Sequence, residues 1–301
     1  MRKAGVKTII FSQNGDGISF LRLIVRRPRT FVFIGLACFL AVLPGVFFLF
    51  SQNVVSDQPP ALANGANISQ VLSATETAWG KFQVGSGIRT RTTTTTFQEK
   101  IVQDVAESTT TLEAIEPDGI LLKQIASVEI KGNMVQGEPQ LKKVDFYQQP
   151  SAGNTTVQML PPERIQIGNR ILLCGVRVYE QTTPQLRRRT KVWFNPKVAP
   201  YVLCTETTRT RLPTPNKPKE QLVGHSTSIV LNPPKTTLRG SFFGSYKVQT
   251  IRQNITDGST VYSLAECSLR TPGWVESEKS WEYDRENNLV RITVSSGSTN
   301  K

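Results

Sequence analysis

Residues 88–97 read IRTRTTTTTF. β-Branched side chains are stiff at χ1 and favour a pleated backbone, so this threonine run predicts a strand rather than a helix. Its polarity predicts that one face of the strand meets solvent. A low-complexity linker and an O-glycosylated stalk are the competing readings of residues 92–96.

Strand signals continue outward from that run. Residues 107–115 end at the turn signal Pro117-Asp118-Gly119, and residues 120–130 resume as the second arm of a hairpin closed by Gly132-Asn133. Residues 142–147, 170–180 (RILLCGVRVYE), 190–194, 201–210, 223–231, 246–254, 259–269, 277–284 and 289–295 complete the series, with Asp257-Gly258 and Asn287-Asn288 as turn residues. Many short strands at regular spacing predict a mainly β fold, a curved antiparallel sheet or half-barrel. Residues 169–208 and 258–296 echo each other, each with a cysteine (Cys174, Cys267), then Lys-x-Trp (Lys191 to Trp193, Lys279 to Trp281), then a valine (Val202, Val290). The echo raises the alternative of two similar β subdomains, divided near the proline-rich stretch 212–222.

Upstream the character changes. Residues 31–50 (FVFIGLACFLAVLPGVFFLF) carry no charge over 20 positions, enough to cross a bilayer core as a helix. No polar stripe interrupts them, which argues against a buried helix of a soluble domain. Residues 1–29 hold Arg2, Lys3, Lys7, Arg22, Arg26, Arg27 and Arg29 against Asp16 alone, whereas residues 51–57 have no positive charge. The positive-inside rule therefore predicts a single-pass protein with its N-terminus in the cytoplasm and its bulk periplasmic or extracellular. A cleaved signal peptide would need its small-residue site closer than Ala61-Leu62-Ala63, and Gly35-Leu36-Ala37 before Cys38 is a poor lipobox. The predicted organisation is a basic tail (1–29), a transmembrane helix (30–50), a linker with Pro59-Pro60 (51–69), an extracytoplasmic β domain (70–296) and a disordered tail (297–301). Ile68, Val71, Leu72, Thr75 and Trp79 fall at helical spacing and predict a short helix at the start of that domain.

The formal net charge of +13 invites a nucleic-acid reading. Much of the excess lies in the tail abutting the membrane segment, and the topology keeps the rest of the chain away from DNA and RNA.

Trp79-Gly80-Lys81-Phe82, then Gly85 and the threonine strand, resembles the start of a domain of uncharacterised bacterial envelope proteins. So do Glu163-Arg164-Ile165-Gln166-Ile167-Gly168, Cys174-Gly175-Val176 and residues 190–200 (TKVWFNPKVAP). Such domains are similar to the periplasmic lipoprotein-carrier group. The resemblance implies a curved antiparallel sheet around an apolar cavity; it carries no catalytic residue, and the membrane anchor departs from a soluble shuttle.

No constellation specifies a reaction. His225 is the only histidine, in a Ser/Thr-rich strand, and no G-x-S-x-G, phosphate-binding loop or H-E-x-x-H is present. Local Cys/His spacing for a metal is lacking, and no cofactor is predicted. Cys174 and Cys204 flank the Trp193 strand and are the favoured disulfide pair; Cys174 with Cys267, or buried free thiols, are the alternatives. Arg187, Arg188, Arg189 and Lys191 form a basic run near a hairpin tip, read as a solvated turn or as a patch for an anionic headgroup or acidic partner. The expected function is a non-enzymatic, membrane-anchored envelope protein binding an apolar ligand or lipid. The alternatives are an envelope protein-interaction or scaffold module and, distantly, a hydrolase using Glu266, Glu276 or Glu278.

Overall fold

The structure, a computed structural model, describes residues 72–299 apart from 98, 131, 150–153, 216–217 and 235–243. The expected membrane segment and linker lie outside the described residues. Within them no helix is long and apolar enough to cross a membrane.

The described chain is mainly β. Its strands are β1 (Gly87–Phe97), β2 (Ile101–Glu116), β3 (Gly119–Ile130), β4 (Asn133–Gln136), β5 (Gln140–Val144), β6 (Thr155–Ile167), β7 (Arg170–Thr182), β8 (Leu186–Phe194), β9 (Val202–Arg211), β10 (Gln221–Leu231), β11 (Ser245–Asn254), β12 (Thr260–Ser268), β13 (Val275–Tyr283) and β14 (Leu289–Thr299). All belong to one 14-stranded antiparallel sheet, ordered β4-β3-β2-β1-β14-β13-β12-β11-β10-β9-β8-β7-β6, with β5 pairing β3 beside β4. Hairpins make every contact except β1–β14, where the last strand returns to the first, and β3–β5. The free edges are therefore β4 and β5 on one side and β6 on the other.

One face of the sheet packs on a plug of short segments, residues 72–86, 145–149, 195–201 and 269–274. The segments hold one another: Gly273 N–H donates to the Ala78 carbonyl at 3.0 Å, Leu72 N–H to the Tyr147 hydroxyl at 3.0 Å, and Lys81 Nζ to the Leu269 carbonyl. Tyr147 meets the Phe194 ring edge-on at 4.9 Å, and the Trp274 ring lies 6.3 Å from Tyr201 and 6.4 Å from Tyr246. Gly273 is required by its place: it has φ 75°, and a Cβ there would sit 3.0 Å from the Trp79 ring. This connected plug touches the same face of β1–β3 (Ile88, Leu112, Leu122) and of β7–β8 (Tyr179, Val192, Phe194). That face is thus wrapped around the plug and is the inner, concave one. At β7–β10 the opposite face is also buried, through Cys174, Val176, Trp193, Cys204 and Ile229, with Ile165 and Ile167 of β6.

Several expectations are corrected. The sheet is continuous across residues 212–222, because β9 and β10 pair directly, so there are not two sheets. The echo of residues 169–208 in 258–296 joins units of opposite sense. β7 and β12 are five strands apart in an up-and-down order, so Cys174 lies near the start of its strand and Cys267 near the end. Residues 297–299 are not a tail but extend β14 along β1, Thr90 pairing Gly297 and Ile88 pairing Thr299. The predicted helix reduces to a 3-10 turn, Ala74–Glu76, capped by Ser73. Two strands went unpredicted: the short β4, and β6, which carries Pro161-Pro162.

Candidate functional site

Cross-strand partners in an antiparallel sheet share a face, so the register lists what lines the concave side. One row runs from the edge strand β6 across to β2: Met159, Arg177, Val192, Thr205, Ser228, Thr250, Ser263, Ser280, Thr293, Thr94 and Asp104. From β9 to β1 every residue of this row bears a hydroxyl. At about 4.8 Å per strand the seven hydroxyls span roughly 29 Å. Neighbouring inner rows add Thr190 with Thr207 (3.1 Å between oxygens) and Thr92 with Ser295 (2.9 Å), and within the main row Ser228 lies 2.8 Å from Thr250.

The inner face is thereby tiered. At the plug end it is apolar: Phe194, Val230, Tyr246, Ala265, Ile88, Leu112 and Leu122. The middle is the hydroxyl wall. At the far end stand Arg188, Arg209, Arg252 and Arg291, of which Arg291 pairs with Glu282 at 3.0 Å. Two clefts open where plug and wall meet. One, of about 260 Å³, lies among Trp79, Ile88, Thr90, Thr110, Gln124 and Lys142. The other, of about 230 Å³, lies among Tyr147, Leu203, Thr205, Ser228, Tyr246 and Val248. Each edge carries open apolar side chains on its inner side, Val128 (46% exposed) and Val135 (49%) on the β3–β4 side and Val157 (50%) and Met159 (45%) on β6, beside polar ones such as Asn133, Lys142 and Thr155.

Between these edges Asp145 holds the plug segment in shape, its carboxylate accepting the backbone N–H of Tyr147 (3.0 Å) and Gln149 (2.8 Å). Burial raises the Asp145 carboxyl above its ordinary range, against the pull of those N–H groups and of the Arg177 charge. The Arg177 guanidinium stacks over the Tyr147 ring at 4.2 Å.

The predicted site residues are dispersed. Strand alternation splits the basic run, so Arg187, Arg189 and Lys191 face outward while Arg188 faces inward. Arg187 pairs with Glu220 at 2.6 Å, and Lys191 with Glu163 at 2.7 Å, where Trp193 Nε1 also donates to Glu163. Cys174, Cys204 and Cys267 are buried free thiols. The bridge expected between Cys174 and Cys204 is not formed, because β8 lies between their strands. Two inter-strand spacings, about 10 Å, exceed the roughly 7 Å that a disulfide can span. Burial pushes the Cys174 thiol up to about 12 and Cys267 to about 11, so neither is a ready nucleophile.

His225 lies on the outer face with Nε2 3.2 Å from Glu206, away from the trough. Glu266 pairs with Lys247 at 3.0 Å on the outer face, Glu276 accepts from the Thr271 hydroxyl, and Glu278 faces inward opposite Ala265. The three form no acid pair across a shared space. No group of three His, Cys, Asp or Glu side chains among the described residues could hold a metal ion. The hydroxyl wall and the apolar lips had no sequence signal of their own, since each strand contributes one residue per row and only the register assembles them.

No protein-family model matches the chain, and no curated protein sequence matches it. Among solved structures it is similar to an outer membrane lipoprotein-sorting protein domain from Vibrio parahaemolyticus, at 11% identity and TM-score 0.28, over 71% of this chain and 83% of that one. A mutant porin of Rh. blastica matches at 5% identity and TM-score 0.26, over 72% and 100%. The low-pH structure of Pseudomonas putida OprB matches at 10% identity and TM-score 0.22, over 71% and 92%.

Proposed function

We propose that this chain is a non-enzymatic, membrane-anchored envelope protein whose β trough binds an amphipathic lipid. The apolar part of the ligand rests on the lips formed by Val128, Val135, Val157 and Met159. The polar part lies along the hydroxyl wall, whose oxygens both donate and accept. The observation that carries this reading is the pairing of open apolar side chains at both edges with a wall of hydroxyls, half-buried except for the buried Ser263, on one concave face. A purely apolar ligand suits the trough less well, because its apolar end is occupied by the plug and the two clefts fall below the usual 300–1,000 Å³ of small-molecule sites.

The test uses the full chain extracted from its host envelope in a mild detergent, with native mass spectra before and after organic extraction. A lipid-sized mass lost on extraction supports the reading, and Val157→Asp with Met159→Asp then lowers its occupancy at least tenfold. A bare chain mass in repeated preparations defeats it. A second reading, a protein-interaction module, is favoured by β6: residues 155–160 present an unpaired edge with Val157 and Met159 exposed, and Pro161-Pro162 limits how far a partner strand could extend.

A further inference from the structure

Arg188 and Arg209 are direct cross-strand partners on the concave face. Like charges placed opposite each other destabilise a sheet. Among the described residues neither guanidinium has a carboxylate within ion-pair distance, although Arg187 beside Arg188 has Glu220 and Lys191 has Glu163. Arg188 is half-buried, its Nε is buried without a hydrogen-bond partner, and burial together with the charge of Arg209 holds its pKa below the ordinary value.

The row through the pair carries no acid among the described residues; the nearest ones in register, Asp257 on Asn254 at 2.6 Å and Glu282 two strands beyond Arg252, are held by Asn254 and Arg291. The inner row through the pair runs Thr155, Gln181, Arg188, Arg209, Gly224 and Asn254, and the row beneath supplies Thr190, Thr207 and Ser226. Gly224 has no side chain, and the stem of Arg209 lies against it, Cδ 3.7 Å from where a Cβ would stand. Arg252 pairs with Ser226 on the same face and has no ion-pair partner among the described residues.

We propose that Arg188 and Arg209 form a binding site for a phosphate group, held between two guanidinium forks over the Thr190–Thr207 hydroxyls. Guanidinium forks match the oxygens of a phosphate in geometry and charge, and a shared anion converts the like-charge pair from a cost into a clamp. The site deepens the reading above, on which it rests for the source of the phosphate, by giving the amphiphile an anionic head.

The test uses the full chain in detergent micelles, the double variant Arg188→Gln with Arg209→Gln, and Arg189→Gln as a control on the outer face of the same strand. Inorganic phosphate, lysophosphatidylglycerol and uncharged monooleoylglycerol are the probes. Phosphate is expected to raise the Tm of the wild-type protein and of Arg189→Gln by about 2–4 °C at saturating concentration, but not that of the double variant. Lysophosphatidylglycerol is expected to bind the wild type at least tenfold more tightly than monooleoylglycerol, and the double variant equally weakly. The double variant should melt no lower than wild type without phosphate, since it removes a repulsion. A phosphate response without binding of either lipid supports the site and removes the amphiphile reading. Equal binding of the two lipids by the wild type, or the same phosphate response in the wild type and the double variant, overturns the site.

Discussion

β8 and β1 show two ways of holding a strand in one sheet. β8 ends in Val192, Trp193 and Phe194, buried on both faces, whereas β1 beyond Ile88 has no buried residue on either. The difference follows from composition. Large apolar side chains at consecutive positions need cover on both sides, and β8 has the plug on one side and Ile165 with Cys174 on the other. Threonines bury little and satisfy themselves across strands, so β1 is held by its ladders to β2 and β14 and by contacts such as Thr92 with Ser295. The stretch of sheet around β1 therefore needs no core of its own, and its concave face is left half-exposed.

The sharpest way to break this comparison is truncation. Phe194→Ala is expected to cost about 3–5 kcal/mol in denaturant unfolding, while Thr94→Ala on the hydroxyl wall stays within about 0.5 kcal/mol. Comparable losses at both would mean that the wall is part of the core. Next in size is Gly175→Ala. Its Cβ would lie 2.6 Å from Phe194 Cζ, so the ring must move, at a cost of about 1–3 kcal/mol. A variant as stable as wild type would show that the β7–β8 packing is looser than described. Ser228→Ala removes the partner of Thr250 and is expected to cost about 0.2–1 kcal/mol, with no gain in lipid affinity.

The smallest effect is on pH dependence. The folded Asp145 carboxyl is raised by burial, so between the ordinary carboxylate value and its raised one the folded chain binds more protons than the unfolded chain. Stability therefore falls as pH rises through that window. Asp145→Asn keeps an acceptor for Tyr147 and Gln149 while removing the charge, so a Tm–pH curve for this variant should lose that fall. An unchanged slope would show that Asp145 titrates as an ordinary exposed acid.

Much of the strand series was legible because period-2 patterns and turn residues act locally. Residues 88–97 announced a strand through their threonines, yet the expected single solvated face became two hydroxyl-bearing faces, with Thr92 and Thr94 inside and Thr93 and Thr95 outside. β6 was hidden by Pro161-Pro162, a signal against central strands that an edge strand tolerates because its outer N–H groups need no partner. The basic run 187–191 was legible as charge but not as geometry, since alternation sends Arg188 to one face and its neighbours to the other. The wall from Thr205 to Thr94 could not be read at all. It exists only through the register of seven strands and the return of β14 to β1, which no local pattern encodes.

The most direct test of the open concave face compares two adjacent residues that point opposite ways. A photo-crosslinking amino acid is placed at Ser280, on the inner row, or at Lys279, on the outer face, in the full chain in its native envelope, and the adducts are weighed. A lipid-sized adduct at 280 and none at 279 is the expected result. Equal adducts at both positions, or a lipid captured only at 279, would contradict a ligand-binding concave face.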